Sequence, residues 1–444
     1  MLEYVIMQCS TVNNTAIAQS APTRPPTVPA PKSSSMTGVS ALHEASQKGP
    51  LEHAGGIEFD INIDINGAPN QAGLELSKQE LDTQHPEIQK INLFTIKLPS
   101  KKQLISFTDL GANVLDLRLG GDLPEDKITD SPLLTNPKID KLSITPIRGL
   151  NPISSPPGRI EDEILFPVND AGKLDKNGPH KTKSGIKISD FPLDKNYPRN
   201  GDMRIHGFLF KKKWKLEHVK TNANQDLQVS YIYDTRADDE YKKLFGEMIY
   251  RVKYTLSNRN SKPEFLTEMS VENVSQVSWL AKLFGKKPKD AFPIGLQSHP
   301  YFNAKSWRLS ASKYLELSAN NLPTGKLLDL DKSKDLNTIQ PTSQAEIDHP
   351  YTALKPGPDH LVAEFIRPDD KVLSLRWDTR LAPFAVVYNG KAKEGQVCIE
   401  PGTSAPNASQ LQFNPNCKFD PKPSYLKPGE SQSMWWSVDL GGEW

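Results

Sequence analysis

The sequence has few cysteines and no long apolar segment. Its 444 residues contain three cysteines, Cys9, Cys398 and Cys417, with no CxxC or other metal-type spacing. A sparse, odd set is a poor disulfide framework, which favours a reducing compartment and a cytoplasmic location. The first 21 residues lack the basic and apolar regions of a secretory signal. No run of about 18 apolar residues occurs, so we expect no membrane-spanning segment.

The chain also has almost no net charge, +1 at pH 7, and no short metal or nucleophile motif. The sum of Lys and Arg is 54 against 53 for Asp and Glu, which argues against nucleic acid and anionic membranes as partners. HxH, HExxH and GxSxG motifs do not occur. One set of distant residues, His206, His299 and Glu400, has the two-histidine, one-carboxylate composition of some metal sites. We nevertheless predict no metal.

Proline and low-complexity sequence indicate how the chain is organised. The 37 prolines are spread along its length, which fits short strands joined by turns. We predict that residues 1–55, with a Pro/Ser-rich tract, are disordered. Residues 56–90 are predicted as an extension with a strand at 57–65, from its period-two alternation, and a short helix at 74–84 capped by Ser77.

From residue 91 onward, strand-like segments dominate. Eleven apolar runs, from INLFTIKL near residue 91 to SMWWSVDL near the C-terminus, are separated by Gly, Pro, Asn or Asp. Only 237–248 and 278–285 have a helical pattern, and strands do not alternate with helices. The prediction is an all-β protein, a large sandwich of antiparallel sheets.

The most informative stretch is FPIGLQSHPYFN, residues 292–303. Pro300 biases His299 away from helical geometry, and Tyr301 and Phe302 frame the imidazole. A histidine held in this way suits proton transfer, and the alternative is a satisfied core histidine beside a turn.

Three further stretches carry polar groups that suit a binding site. In QVCIEPG, Cys398 and Glu400 share one face of a strand, and Pro401 is expected to end the strand so that Glu400 lies at a sheet rim. His206 is a half-exposed strand residue if residues 204–210 form a strand. Arg159 follows a Pro-Pro-Gly loop and offers a fork of donors, with a surface salt bridge as the alternative.

Taken in order, these stretches resemble one known family, the aldose 1-epimerases or galactose mutarotases. The matching segments are FTDLGANV at 107–114, GRI at 158–160, HGF at 206–208 with Trp214, HPYF at 299–302, NLPTG at 321–325, Asp348-His349, CIEP at 398–401 and LKPGE at 426–430. The resemblance covers residues 91–444, which we take as the catalytic domain.

The resemblance implies a β-supersandwich with a site in a cleft on its concave face, and an isomerase that interconverts the anomers of a free hexose. It implies that His299 is the general acid and Glu400 the general base. Arg159, His206 and Asp348 resemble the ligands of the sugar hydroxyls, and Tyr301 is assigned to substrate binding. No cofactor is required. The expected partner is a small sugar, bound by a monomer or a dimer.

Two glycines depart from the family pattern and leave other functions open. Gly158 stands where the family commonly has Asn, and Gly402 where Trp is usual. The span 159–206 is long, and 275–290 contains an added piece. One alternative is an epimerase of a hexose phosphate, with Lys211–Lys213 or Lys286-Lys287 at the phosphate. The other is a non-catalytic sugar-binding protein of the same fold.

Overall fold

The computed structural model describes residues 75–440 apart from short gaps. The gaps are 86–87, 99–102, 120–149, 155–157, 169–181, 188–198, 201–202, 222–223, 225, 260–261, 277–294, 344–345 and 391–394. The predicted disordered segment 1–55, the strand at 57–65 and the helix at 278–285 lie outside the described residues.

The described elements are almost all strands. In chain order they are β1 Glu75–His85, β2 Ile88–Leu98, β3 Gln103–Thr108, β4 Val114–Arg118, β5 Leu150–Ser154, β6 Arg159–Ile160, β7 Glu163–Val168, β8 Thr182–Lys187, β9 Arg199–Asn200, β10 Met203–Ile205, β11 Lys215–Thr221, β12 Leu227–Asp234, α1 Asp239–Phe245, β13 Met248–Arg259, β14 Lys262–Asn273, β15 Gln297–Asn303, β16 Ser306–Leu309, β17 Lys313–Leu317, β18 Pro323–Asp329, β19 Gln340–Pro341, β20 Asp348–Thr352, β21 Leu361–Ile366, β22 Val372–Trp377, β23 Phe384–Tyr388, β24 Gln396–Gly402, α2 Ala408–Leu411 and β25 Ser431–Leu440.

Two large antiparallel sheets contain most of these strands. The first has eleven strands in the order β1-β2-β3-β4-β5-β15-β24-β23-β20-β17-β18. The second has nine, in the order β11-β12-β13-β14-β25-β22-β21-β16-β19. Smaller sheets are formed by β6-β10-β9 and by β7-β8. The all-β prediction is confirmed. In the described part of the chain, no helix is long and apolar enough to cross a membrane.

The main core lies between the two large sheets. Phe302 of β15 stacks on Phe365 of β21 with ring centroids 4.4 Å apart, and Phe107 of β3 meets Tyr231 of β12 at 5.7 Å. Because side chains alternate along a strand, the residues beside Phe302 point to the opposite face of the eleven-stranded sheet. That opposite face is called the outer face below, and it carries the site.

The helix predicted at 74–84 is wrong, whereas the one predicted at 237–248 is confirmed over the shorter range Asp239–Phe245, which forms α1, and Met248 already begins β13. Residues 75–85 form β1, which pairs with β2 from Glu75↔Lys97 to Asp82↔Lys90. Its Glu, Leu, Lys and Gln residues favour a helix locally, but the unpaired edge of β2 offers them a complete hydrogen-bond ladder. Tertiary pairing therefore overrides local propensity. Strand β2 also runs across the predicted boundary at residue 90, and the division of the chain into segments stays a prediction.

Candidate active site

His299 and Glu400 meet on two neighbouring central strands. The Nε2 atom of His299 lies 3.0 Å from Oε1 of Glu400, and both side chains are almost inaccessible to solvent, at 3% and 4% exposed. The register of β15 and β24 pairs Gln297 with Gly402 and Tyr301 with Cys398. Continued through the residues between, this register places His299 directly opposite Glu400 on the same face.

The expectation that Glu400 lies at a sheet rim is wrong. Strand β24 continues through Pro401 to Gly402, and β23 pairs with it from Cys398 to Gly402, including Ala385↔Pro401. The missing N–H of Pro401 removes one ladder bond at most, so neighbours on both sides keep the strand extended. Glu400 is consequently buried in the centre of the sheet.

Period-two alternation separates the core side chains of β24 from its polar ones. Val397 and Ile399 belong to the main core. Cys398 and Glu400 point to the outer face, where Sγ of Cys398 lies 3.2 Å from Nδ1 of His299. The imidazole is therefore held between a thiol on one ring nitrogen and a carboxylate on the other, which fixes its orientation.

Burial dominates the electrostatics of this pair. It raises the pKa of Glu400 well above its usual range, and the nearby charge of Asp348 raises it further. Arg159 acts in the opposite direction and lowers the pKa of Glu400. Burial followed by the Glu400 charge raises the pKa of the Cys398 thiol, so this thiol is a neutral neighbour rather than a thiolate nucleophile.

His206 lies beside His299 but not on a strand. Strand β10 ends at Ile205, and His206 has a φ of 67°, so the conditional strand reading of residues 204–210 is wrong. The turn is fixed by a 2.9 Å hydrogen bond from the His206 N–H to the carbonyl of Gly158. It brings the two imidazoles to 4.8 Å between centroids, edge to face. Burial, followed by the charge of Arg159, lowers the pKa of His206 to about 4.

Arg159 and Asp348 form an ion pair at this site. Arg159 begins β6 and Asp348 begins β20, so the contact joins the small three-stranded sheet to the outer face of the large one. Arg159 also donates to the carbonyl of Asn321 at 3.4 Å. The Arg159 guanidinium is 14% exposed and the Asp348 carboxylate 36% exposed, so Asp348 is the more accessible of the two to a ligand.

Tyr301 lies next to His299 on the same face of β15. Its ring centroid is 5.0 Å from that of His299 and 6.4 Å from that of Tyr388. Burial raises the pKa of Tyr301, so its hydroxyl is neutral. The structure thus brings together all six residues selected from the sequence, and their roles remain predictions.

Gln297 is a polar site residue that the sequence reasoning missed. Its Nε2 donates a 3.0 Å hydrogen bond to Oε2 of Glu400, and the side chain is buried. A signal was present, because Gln297 precedes His299 by two residues and a strand places both on one face.

Three donor atoms lie close enough to consider a metal. Atoms of His299, Cys398 and Glu400 lie within 4.8 Å of one another. The structure therefore groups Cys398, rather than His206, with the other two. Nitrogen, sulfur and oxygen donors of this kind suit a zinc-class cation. The absence of a resident metal stays a prediction.

The lysines considered for phosphate binding are only partly described. Nζ of Lys212 lies 2.6 Å from the Asp238 carboxylate, which neutralises it. Lys213 is exposed and Lys211 is half-buried against the ring of Phe210. Lys286 and Lys287 lie outside the described residues.

The protein thus combines two large antiparallel sheets with a buried histidine–carboxylate pair on one of them. Residues 94–438 match the model of the aldose 1-epimerase family, and the chain belongs to that family. The fold is galactose mutarotase-like. A galactose mutarotase-like protein from Clostridium acetobutylicum superposes with a TM-score of 0.58 at 18% identity, covering 83% of this chain and 99% of that one. A GalM/aldose epimerase homologue from C. elegans gives a TM-score of 0.53 at 16% identity, with the same coverage of 83% and 99%.

Proposed function

We propose that the protein is an aldose 1-epimerase that interconverts the α and β anomers of a free hexose. The observation that supports this most directly is the contact between Nε2 of His299 and Oε1 of Glu400. The ring oxygen and the C1 hydroxyl of a pyranose are both bonded to C1 and therefore lie close together. An acid and a base that are themselves neighbours can reach both atoms at once.

The proposed mechanism starts from an ionised Glu400 and a protonated His299. Ionised Glu400 removes the proton from the C1 hydroxyl while protonated His299 gives a proton to the ring oxygen, and the C1–O5 bond breaks to leave an open-chain aldehyde. After rotation about C1–C2, neutral His299 takes the proton back from the C5 hydroxyl as O5 attacks C1. Protonated Glu400 returns its proton to O1, so both groups regain their starting states.

The surroundings of Glu400 suit the role of a base. A carboxylate with an ordinary pKa is a weak proton acceptor at neutral pH, whereas burial raises the pKa of Glu400 well above its usual range. Such a shift makes the carboxylate a stronger base, provided that it is ionised when substrate arrives. Arg159 supports ionisation by opposing the effect of burial.

The remaining polar groups suit sugar hydroxyls. Asp348 accepts hydrogen bonds, Arg159 donates them, and His206, kept neutral by a pKa of about 4, offers one donor and one acceptor nitrogen. The aromatic ring of Tyr301 gives an apolar surface beside the acid. None of these contacts requires a cofactor.

A free hexose is preferred over a hexose phosphate because one of the candidate phosphate-binding lysines already has an acidic partner. Of the lysines that sequence analysis offered for a phosphate, Lys212 is already paired with Asp238. A hexose phosphate epimerase would be inhibited competitively by inorganic phosphate or sulfate, and a free-hexose enzyme would be indifferent to both. A non-catalytic sugar-binding protein would gain little from an acid and a base in contact.

Polarimetry on freshly dissolved α-D-glucose and α-D-galactose tests the proposal. The wild-type protein is expected to accelerate mutarotation, and Glu400→Gln is expected to lower the rate by roughly 10²–10⁴-fold. Glu400→Gln keeps the shape of the side chain and removes its proton affinity. A wild-type protein that accelerates the mutarotation of neither free sugar would overturn the proposal, and acceleration of a hexose phosphate alone would favour the phosphate alternative.

A further inference from the structure

Among the described residues, the side chain of Gln297 makes one hydrogen bond, and that bond is to Glu400. Its Nε2 donates to Oε2 of Glu400 at 3.0 Å, while Oε1 is buried and finds no hydrogen-bond partner among the described residues. A carboxylate only accepts hydrogen bonds, so the amide must turn its NH₂ group towards Glu400. Doing so leaves the carbonyl oxygen unpaired in a buried place, which carries a cost.

Because glycine has no side chain, Gly158 and Gly402 leave room for the side chain of Gln297. Gly402 lies opposite Gln297 in the register of β15 and β24, and a Cβ at position 402 would stand 3.6 Å from Cγ of Gln297. A Cβ at Gly158 would stand 3.4 Å from Oε1 of Gln297 and 3.1 Å from Cγ of Pro406. A larger branched side chain at 402, such as leucine, is therefore expected to compete with Gln297 for volume.

We propose that Gln297 is a positioning residue that holds the Glu400 carboxylate, ionised and oriented, for proton abstraction, in a space that Gly158 and Gly402 keep free. The proposal rests on the proposed function. Oε1 of Glu400 faces His299, and the amide fixes Oε2 on the other side of the carboxylate. With both oxygens held, the carboxylate cannot rotate away from the reacting hydroxyl.

The hydrogen bond also stabilises the charged form of the base. A bond to an ionised acceptor is stronger than one to a neutral group, so the amide favours the carboxylate over the acid. The other titratable or charged groups that act on Glu400 are His299 and Tyr301 from β15, Cys398 from its own strand, Asp348 from β20 and Arg159 from β6. Burial and Asp348 favour the protonated acid, whereas Arg159 and Cys398 favour the carboxylate. The 3.0 Å hydrogen bond from the Gln297 amide acts in the same direction as these two groups.

The test is the pH dependence of kcat/KM for Gln297→Met, a variant of similar length without hydrogen-bonding groups. The base must be ionised, so the acidic limb of the profile is expected to move to higher pH by roughly one unit. The rate at pH values below that limb is expected to fall by about tenfold, because a shift of one unit is a factor of ten in the ionised fraction.

Gln103→Met is the matched control. Gln103 lies on β3, is 2% exposed and, like Gln297, has side-chain atoms without hydrogen-bond partners in the described residues. Three strands of the sheet, β4, β5 and β15, separate it from β24. This variant is expected to keep the wild-type profile, which separates the loss of a buried amide in general from the loss of the contact to Glu400.

Substitutions at Gly402 provide a second test without changing Gln297. Gly402→Ala makes only ordinary contacts and is expected to keep the acidic limb in place, whereas Gly402→Leu should displace Gln297 and move the limb upward. The pKa of the Glu400 carboxyl can also be measured by ¹³C NMR titration, with the resonance assigned by its absence in Glu400→Gln. This measurement does not depend on catalytic activity. An inactive wild type would overturn the proposed function alone. An active wild type with an unmoved limb and an unmoved carboxyl titration in Gln297→Met would overturn the positioning role.

Discussion

His299 and Glu400 occupy facing positions on neighbouring strands, with 3.0 Å between Nε2 and Oε1. Neither strand contains a sequence motif that indicates the other as its partner, and 100 residues of chain lie between His299 and Glu400. The contact exists because the register that pairs Tyr301 with Cys398 also sets His299 opposite Glu400. Substitutions of individual residues around this pair are expected to affect the catalytic rate, substrate binding and stability to different degrees.

His299→Asn is expected to lower kcat by roughly 10²–10⁴-fold, because asparagine is a hydrogen-bonding residue that cannot carry a proton to the ring oxygen. Mutarotation followed by polarimetry measures the loss. Circular dichroism and the melting temperature should show a folded protein, since the side chain lies on the outer face rather than in the main core. A kcat within twofold of the wild type would remove His299 from the mechanism.

Arg159→Met and Asp348→Asn are expected to move the acidic limb of the kcat/KM profile in opposite directions. The positive charge of Arg159 lowers the pKa of Glu400 and the negative charge of Asp348 raises it. Losing the arginine therefore moves the limb to higher pH, and losing the aspartate moves it to lower pH. Both variants are expected to raise KM, since each removes a group that suits a sugar hydroxyl. Shifts of the same sign in the two variants would contradict this electrostatic account.

Stability is expected to fall as the pH decreases from about 6.5 to 4, in part because of two histidines. Burial lowers the pKa of both His206 and His349 from 6.5 to about 4. Between pH 6.5 and 4 these two imidazoles are protonated in the unfolded chain and largely neutral in the folded chain, so protonation favours unfolding. Above pH 6.5 both states are neutral and the effect vanishes.

Melting temperatures measured from pH 4 to 7 for His206→Gln and His349→Gln check this linkage. Each variant should show a shallower dependence on pH than the wild type. His360→Gln is the control, because it replaces an exposed imidazole. Wild-type pH dependence in both variants would show that these histidines do not contribute to it.

Chelation is expected to leave activity unchanged. The proposed proton transfers use only His299 and Glu400, so dialysis against EDTA should not alter kcat. Added Zn²⁺ is expected to inhibit, because a cation held by the donors of His299, Cys398 and Glu400 would displace the protons that they exchange. Cys398→Ser should weaken that inhibition. If chelation abolished activity and an added metal restored it, the metal-free acid–base mechanism would be wrong and the reaction would depend on a metal.

The sequence by itself determined the all-β architecture and the groups of residues that carry the site. Alternating apolar residues bury one face of a strand, so the facing of Cys398 and Glu400 away from Val397 and Ile399 could be read from spacing alone. Collinear short motifs, matched to one family, indicated His299, Glu400, Arg159, His206 and Asp348 together.

Only the tertiary structure decided how those residues meet. The 75–85 segment became a strand because β2 offered an edge, and Glu400 moved from an expected rim to a buried centre because β15 and β23 pair on both sides of β24. Burial, which no local pattern records, sets the pKa of Glu400 and of His206. Gln297, which contacts Glu400, also lies next to Gly158 and Gly402, and sequence spacing could not show that these distant positions share one space.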